Sequence, residues 1–275
     1  MRRARWVLGS VAVVVAGVTA WCAATRPSND RDWVANEAVL PWSERAGDRV
    51  TVRNVRHTVY RSADDYTPAY SDRTYDLRRL ERAWFVVEPF GGVRAVAHTF
   101  LSFQFAGDSV PEFVAISVEA RKERGESYGA IAGLLRRFEL LYVVADERDV
   151  VLLRTNVRRD AVYLYPLRAD TARVRALFVA MLDRANALRE RPQFYNTLTA
   201  NCTSTIVRHV NALVPGRVPF SYRWLLPGYA DALAFDLGLI DTALPFDSIR
   251  PHFLITPRAQ AVGDVPDFSL RIRAR

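Results

Sequence analysis

Two neighbouring stretches of the chain, residues 95–105 and 113–119, alternate apolar with polar residues, and this pattern constrains the fold most strongly. Successive side chains of a strand point to opposite faces of the sheet, so a two-residue period predicts strands with one apolar face. The short connection of residues 106–112 allows the two strands to pair directly. The pattern therefore predicts an antiparallel hairpin with one apolar and one polar face.

The rest of the chain places strands before helices, which is typical of an α+β fold. Further strands are predicted for residues 50–60, 83–87, 140–145, 150–154 and 162–167. Apolar residues spaced i, i+3, i+4 and i+7 predict helices for residues 128–138, 171–189, 202–213 and 229–239. The expected architecture is an antiparallel sheet packed on helices.

The N-terminus carries the pattern of a membrane anchor. Residues 6–24 form a run of nineteen residues without a charge. A helix of that length spans about 28 Å, close to the hydrocarbon core of a bilayer. Arg2, Arg3 and Arg5 precede the run, so the N-terminus should stay inside and the rest should be exported. An uncleaved signal anchor is the favoured interpretation, with cleavage or lipidation at Cys22 as alternatives.

The sequence therefore predicts three parts: a transmembrane signal anchor (1–25), a polar, proline-containing linker (26–48) and one extracytoplasmic catalytic domain (49–275). Hydrophobic residues make up 50% of the chain and charged residues 25%, a balance that excludes a disordered chain or a fibre. Four arginines flank the anchor and account for half of the formal net charge of +8. No basic cluster with interleaved aromatics follows, so nucleic acid is not an expected partner.

The cysteines of the chain leave Cys202 as the candidate nucleophile of the body. The chain has only two cysteines, Cys22 in the anchor and Cys202 in the body, so a disulfide scaffold is excluded and the two are not expected to pair. Asn201 is a good N-cap, which places Cys202 in the first turn of a helix. There the free backbone N–H groups and the helix dipole stabilise a thiolate and can bind an oxyanion. A buried structural cysteine remains the alternative.

A general base must come from four histidines. His209 lies about 10.5 Å further along the helix of Cys202, which is too far. His57 stands in the first strand and His252 in an irregular tail. His98 is the most suitable candidate for the base, because it lies on the polar face of the strand at residues 95–105.

The hairpin register decides which carboxylate His98 meets. If paired residue numbers sum to 217, His98 lies opposite Glu119, and the two polar faces coincide. Cys202, His98 and Glu119 would then form a nucleophile, a base and an orienting carboxylate. A histidine that merely satisfies polar neighbours on a strand is the alternative.

Several motifs lie along the body: residues 29–33, 97–103, 116–123, 125–128, 142–149 and 195–203. In these motifs, which span residues 29–210, the chain resembles the bacterial Lnb N-terminal periplasmic domain family. The resemblance implies an acyltransferase that moves an acyl chain from phospholipid to the N-terminal amine of lipoproteins, without a metal or other cofactor. It also implies a permuted papain-like core and a single-pass protein of the bacterial inner membrane with its catalytic domain in the periplasm.

Carried over by motif, Cys202 would be the nucleophile and His98 the base. Glu119 would be the third member, with Ser117 as a rival. Ser117, Asn201 and Tyr195 are candidates for an orienting or oxyanion-binding role.

Two other functions remain open. One is a cysteine hydrolase, either a cell-wall amidase or peptidase or a phospholipase, and the other is a catalytically inactive binding module. A polar groove beside Cys202 would favour the amidase, and an apolar channel would favour lipid. Arg121, Lys122 and Arg154 are either surface charges or contacts for a phosphate headgroup, and the aromatic stretch 220–229 belongs either to the core or to a membrane interface.

Overall fold

The computed structural model describes residues 17, 19 and 25–274. Strands in this part are Trp42–Ala46 (β1), Arg49–Arg56 (β2), Val59–Tyr60 (β3), Tyr66–Thr67 (β4), Tyr70–Asp76 (β5), Leu80–Pro89 (β6), Ala97–Phe105 (β7), Glu112–Arg121 (β8), Glu139–Asp146 (β9) and Tyr163–Pro166 (β10). The α-helices are Ala130–Leu134 (α1), Glu147–Leu152 (α2), Thr171–Glu190 (α3), Cys202–Leu213 (α4), Tyr222–Leu225 (α5), Ala230–Asp236 (α6), Phe246–Phe253 (α7), Thr256–Val262 (α8) and Phe268–Arg271 (α9). A π-helical turn spans Leu153–Val157, and 3-10 helices span Ala35–Glu37, Leu77–Arg79 and Pro227–Tyr229.

The main sheet has the strand order β1-β2-β9-β8-β7-β6-β10, and β5 pairs with β2. All of these pairs are antiparallel except β2 with β9, which meet in parallel through Arg56↔Ala145. The α+β class is confirmed, and the sheet, expected to be antiparallel, is mixed because of this one parallel pair. The parallel pair arises because β2 and β9 are far apart in the chain, so no hairpin sets their relative direction.

The β7–β8 hairpin lies in the middle of this sheet and is buried on both faces. On one face Leu101 and Phe103 pack in a core with Phe178 of α3. On the other face Phe100 packs in a second core with Val151 of α2. Polar side chains on the second face are therefore enclosed by helices and must find partners inside the protein.

Residues 150–154, predicted to be a strand, are helical. The apolar run of Val150 to Leu153 resembles a strand, but Asp146 accepts a hydrogen bond from the backbone N–H of Arg148 at 3.0 Å and caps a helix there. Glu147 and Asp149 lie in its first turn, where negative charge stabilises a helix. This capped start outweighs the strand propensity of the run.

Residues 26–48 do not form a free linker. β1 pairs with β2 from Trp42↔Arg53 to Ala46↔Arg49, so the sheet begins at residue 42 rather than after residue 48. Trp33 is 5% exposed and is covered by the guanidinium of Arg121, 4.0 Å from its ring. Large aromatic side chains gain more by packing than by solvation, which explains why this polar segment folds onto the body. The division into domains stays a prediction.

The predicted anchor, residues 1–25, falls almost entirely outside the described residues, which include only Gly17, Thr19 and Thr25 of it. Among the residues that the structure describes, no helix combines the length and the apolar character needed to cross a bilayer. The anchor stays a prediction, and so does the permuted papain-like arrangement.

Gly228 is required where the chain passes close to the turn before β7. Its N–H donates to the carbonyl oxygen of Ala95 at 3.0 Å, and an added Cβ would lie 1.8 Å from the carbonyl oxygen of Arg94. We expect Gly228→Ala to lower the free energy of unfolding by about 1–3 kcal/mol in chemical denaturation, because the backbone must shift. Gly129→Ala is the control, since its Cβ would meet only Ala132 at an ordinary 3.7 Å. Equal stability of the two variants would contradict this interpretation.

Candidate active site

Cys202 is the first residue of α4, as the sequence predicts. Asn201 is the N-cap, and its side-chain oxygen accepts a hydrogen bond from the backbone N–H of Ser204 at 2.7 Å. The Ser204 hydroxyl in turn accepts from the backbone N–H of Asn201 at 2.9 Å, which completes a capping box. The Asn201 amide donates to the carbonyl oxygen of Thr197 at 2.7 Å. Asn201 therefore orients the helix that carries the thiol, and its side chain is engaged in that role.

The thiol is enclosed and has hydrogen-bonding neighbours on both sides. Cys202 is 4% exposed. Its sulfur lies 3.9 Å from the Thr203 hydroxyl, and its pKa is lowered by hydrogen bonds with the side chain of His98 and with the hydroxyl and backbone N–H of Thr99. His98 and Thr99 are consecutive in β7, so their side chains leave the strand on opposite faces. The sulfur therefore lies at the end of β7, where both side chains can reach it.

The β7–β8 hairpin has the register that a contact between His98 and Glu119 requires. Phe100 pairs with Ser117, and Phe105 with Glu112, so paired numbers sum to 217. His98 Nε2 lies 2.7 Å from Ser117 Oγ and 3.1 Å from Glu119 Oε1. Ser117 Oγ donates to the same Glu119 oxygen at 2.7 Å. With Nε2 turned to these oxygens, Nδ1 is the nitrogen left for the thiol. Ser117 is thus a bridge between His98 and Glu119 rather than a substitute for Glu119.

The charges around Cys202, His98 and Glu119 favour an ion pair between the Cys202 thiolate and the His98 imidazolium. Burial alone lowers the pKa of His98, but the charge of Glu119 and the hydrogen bond that His98 donates to Cys202 outweigh it and raise that pKa to about 9. Burial raises the pKa of Cys202, and the hydrogen bond and charge of His98 reverse this and lower it. The pKa of Glu119 is held well below its ordinary value, because His98 and Arg154 outweigh its burial. The arrangement can therefore hold a thiolate beside an imidazolium near neutral pH.

Arg154 forms an ion pair with the carboxylate of Glu119. It lies in the π-helical turn, with Nη2 3.3 Å from Glu119 Oε1 and Nε 2.5 Å from Glu88 Oε2. Its guanidinium carbon lies 5.0 Å from the centre of the Phe100 ring. Because Arg154 is 4% exposed, the expectation that it is a surface charge or a headgroup contact is wrong. Irregular π-helical turns are frequent at functional sites, and this one places a cation within the site.

Arg121 and Lys122 also differ from expectation. Arg121 is 1% exposed and donates to the backbone carbonyls of Glu37 and Ala38, at 2.9 and 2.7 Å. Lys122 forms an ion pair with Glu37. Both cations therefore hold the segment before β1 in place instead of facing a headgroup.

Tyr195 reaches the site from the segment that precedes α4. It is 5% exposed, and its hydroxyl lies 3.4 Å from that of Tyr128. Burial and the nearby Cys202 charge raise the pKa of Tyr195, so the phenol stays protonated and can donate a hydrogen bond. This agrees with the predicted oxyanion-binding or orienting role, which stays a prediction.

The three other histidines do not contact the thiol in the structure. His209 Nε2 lies 2.7 Å from the hydroxyl of Tyr142, and burial with the charges of Arg184 and Arg208 lowers its pKa to about 4. His57 follows β2 and contacts the carbonyl oxygen of Val55 at 3.4 Å. His252 lies in the last turn of α7, in a helix rather than an irregular tail.

Sequence reasoning missed Thr99 and Glu88. Thr99 interrupts the apolar face of residues 95–105, and this one polar position was the available signal. Its hydroxyl lies 2.9 Å from that of Thr203, the residue after the candidate nucleophile. Glu88 pairs with Arg154 only because β6 lies beside β7, with Glu88 opposite His98. No local pattern in the sequence predicts that contact.

An apolar cavity of about 140 Å³ reaches Thr203, the residue that follows Cys202. Its wall includes Thr203, Ile206, Val210 and Val214, which follow one face of α4 from its first turn to its end. Apolar side chains from β6, β7, α3 and α6 complete most of the wall: Ala83, Phe85, Leu101, Val174, Leu177, Ala230, Leu233 and Ala234. The space is therefore suited to a hydrocarbon rather than to a sugar or a peptide.

A family model described as the Lnb N-terminal periplasmic domain matches residues 66–228, more than half of the chain. The match includes Cys202, His98, Glu119 and the other predicted site residues. No curated protein and no solved structure matches the chain. The family description places the matched region in the periplasm.

The charge of Glu119 should control the reactivity of the thiol. In Glu119→Gln the pKa of His98 falls, so less imidazolium is present and the pKa of Cys202 rises. We expect the pH midpoint for alkylation of Cys202 by iodoacetamide, followed by peptide mass spectrometry, to rise by about one unit or more. Glu81→Gln, which changes an exposed carboxylate on β6, is the control and should leave the midpoint in place. An unchanged midpoint in Glu119→Gln would show that Glu119 does not act through His98.

Proposed function

This chain belongs to the Lnb N-terminal periplasmic domain family, and from that premise we propose that it is a membrane-anchored cysteine acyltransferase. It takes an acyl chain from phospholipid and delivers it to the N-terminal amine of a lipoprotein. Cys202 is the nucleophile, His98 the general base and acid, and Glu119 with Ser117 orients the imidazole. The catalytic domain lies in the periplasm and the N-terminal segment holds it at the inner membrane.

The first half-reaction forms a thioester. The Cys202 thiolate attacks the ester carbonyl carbon, and the carbonyl oxygen becomes an oxyanion. N–H groups in the first turn of α4 have no intrahelical acceptor and can stabilise that oxyanion, with the Tyr195 hydroxyl as a further donor. The carbon–oxygen ester bond then breaks, and the imidazolium of His98 gives its proton to the leaving alkoxide. Lysophospholipid departs, and the acyl group stays on sulfur.

The second half-reaction forms an amide. The neutral lipoprotein amine attacks the thioester carbonyl, and His98, now neutral, accepts the amine proton. The carbon–sulfur bond breaks, and the thiolate returns to its place beside the imidazolium. The cycle needs no oxidant or reductant, because each bond that breaks is replaced by one that forms and no atom changes its oxidation state.

The apolar cavity along α4 is the observation that carries the choice of substrate. Thr203 belongs to the cavity wall, and its hydroxyl lies 3.9 Å from the sulfur of Cys202. A tail that follows α4 from Thr203 to Val214 would run for about 16 Å. Burial of methylene groups there stabilises an acyl chain by about 0.8 kcal/mol for each group. The low exposure of the thiol also limits access of water, which favours transfer over hydrolysis.

Mass spectrometry of the full chain in phospholipid nanodiscs tests this proposal. We expect wild-type protein to carry an adduct of acyl mass and to convert a diacylglyceryl peptide with a free amine into its N-acyl product. Cys202→Ala should abolish both signals, since no sulfur is left to accept the acyl group. His98→Ala should reduce turnover by at least about 100-fold, as expected for loss of a general base.

His57→Ala and His209→Ala are the matched controls and should retain turnover, because neither side chain contacts the thiol. Free fatty acid without N-acyl peptide would identify a phospholipase instead. If folded wild-type protein gives neither adduct nor product, the lipid proposal is wrong. Equal losses in all three histidine variants would contradict the assignment of His98.

A further inference from the structure

Exposed apolar side chains gather at one end of the sheet. β7 begins and β8 ends here, so His98 and Glu119 lie at this end. The β8–β9 connection carries α1, where Ile131 is 75% and Leu135 56% exposed. We define the apolar rim as six exposed residues that we assign to this end: Ile131, Leu134, Leu135, Leu198, Phe220 and Tyr222. An apolar group of this kind on one end of a protein marks an interaction surface.

Backbone contacts tie the parts of the rim to the active-site end. Thr197, next to Leu198, donates its hydroxyl to the carbonyl oxygen of Ala130 at 2.7 Å, which joins the segment before α4 to α1. Phe220 is 80% and Tyr222 61% exposed, so the core interpretation of residues 220–229 is wrong for these two side chains. The 3-10 helix that follows them is joined through Gly228 to Ala95, three residues before His98.

The chain enters the body at this same end. Residues Thr25, Arg26 and Pro27 line a surface depression together with Phe194 and Tyr195. Directly afterwards, the Ser28 N–H donates to Glu139 Oε1 at 3.1 Å, at the start of β9. The uncharged run ends at residue 24 of the sequence, next to Thr25. A span that ends there must hold this end of the sheet close to the bilayer.

The charges at this end fit a lipid headgroup layer. Arg94 is exposed in the turn before β7, and Arg208 is exposed and donates to the carbonyl oxygen of Thr199. Two nearby carboxylates, Glu123 and Glu126, form ion pairs with Arg31 and Arg137. Arginines interspersed with exposed apolar and aromatic side chains are typical of surfaces that lie in the interface of an anionic membrane.

We propose that the apolar rim docks into the headgroup region of an anionic phospholipid bilayer and so turns the mouth of the Cys202 site toward the membrane. This inference rests on the predicted anchor and not on any catalytic role. It sets the orientation of the body: the β7–β8 turn at residues 106–111, at the opposite end of the sheet, points away from the membrane. An acyl chain would then reach the thiol without crossing water.

Depth-dependent fluorescence quenching of the full chain tests the orientation. A bimane label is attached in turn to Ile131→Cys, Tyr222→Cys and Val110→Cys, each in a Cys22→Ser, Cys202→Ser background. Val110 is the matched control, because it is apolar and 56% exposed but lies in the β7–β8 turn. The protein is reconstituted in vesicles of phosphatidylcholine and phosphatidylglycerol that contain a lipid with a nitroxide near its headgroup.

We expect several-fold stronger quenching of the labels at positions 131 and 222 than of the label at 110. Leu135→Glu should weaken quenching at 222, whereas Glu81→Gln should not. Equal and weak quenching at all three positions would overturn the proposal, because the body would then stand off the bilayer or present the rim to a protein. Stronger quenching at 110 would overturn it by reversing the orientation. The background lacks the nucleophile, so the result is independent of whether the proposed acyl transfer occurs.

Discussion

The active-site arrangement depends on the antiparallel register between β7 and β8. A slip of one residue would send Ser117 and Glu119 to the opposite face from His98, and the imidazole would lose both oxygen partners. The register is held because apolar side chains on each face of both strands pack into separate cores, so a slip of one residue would place polar groups in the apolar core and disrupt the packing on both faces. The hairpin is therefore the rigid element that positions the candidate base, His98, and the carboxylate of Glu119.

Around this hairpin, a chain of alternating charges runs from the thiol into the protein. Cys202, His98, Glu119, Arg154 and Glu88 each contact the next member. An isolated charge at such a depth would be strongly unfavourable, and alternation of sign is what makes the buried group tolerable. The same alternation raises the pKa of His98 and lowers that of Cys202, which favours an imidazolium beside a thiolate.

The sheet separates the charged residues of the candidate site from the apolar cavity. The charged chain occupies the face covered by α2 and the π-helical turn, whereas the apolar cavity occupies the face covered by α3 and α4. Cys202 lies at the strand end, and Thr203, whose hydroxyl is 3.9 Å from the sulfur, belongs to the cavity wall. A thioester formed on Cys202 would thus have its reacting carbonyl near charge and its tail near hydrocarbon.

Sequence patterns predicted the elements whose signals are local. The capping residue Asn201 predicted a helix start at Cys202, and the two-residue period predicted both the hairpin and the face that holds His98 and Glu119. Short apolar runs were less reliable: residues 150–154 were expected as a strand, because periodicity over so few residues does not distinguish a strand from a buried helix. Residues 26–48 were expected to form a linker because the segment is polar, but its two tryptophans, Trp33 and Trp42, pack onto the body.

The sequence by itself determined the thiol at a helix start and the hairpin, since each follows from residues close together in the chain, whereas the exact register was settled by the structure. Only the tertiary structure decided that Thr99 touches the sulfur, that Arg154 and Glu88 extend the charged chain, and that a cavity follows α4. Those contacts join elements whose relative positions depend on the packing of the whole sheet with its helices, and no local pattern encodes them.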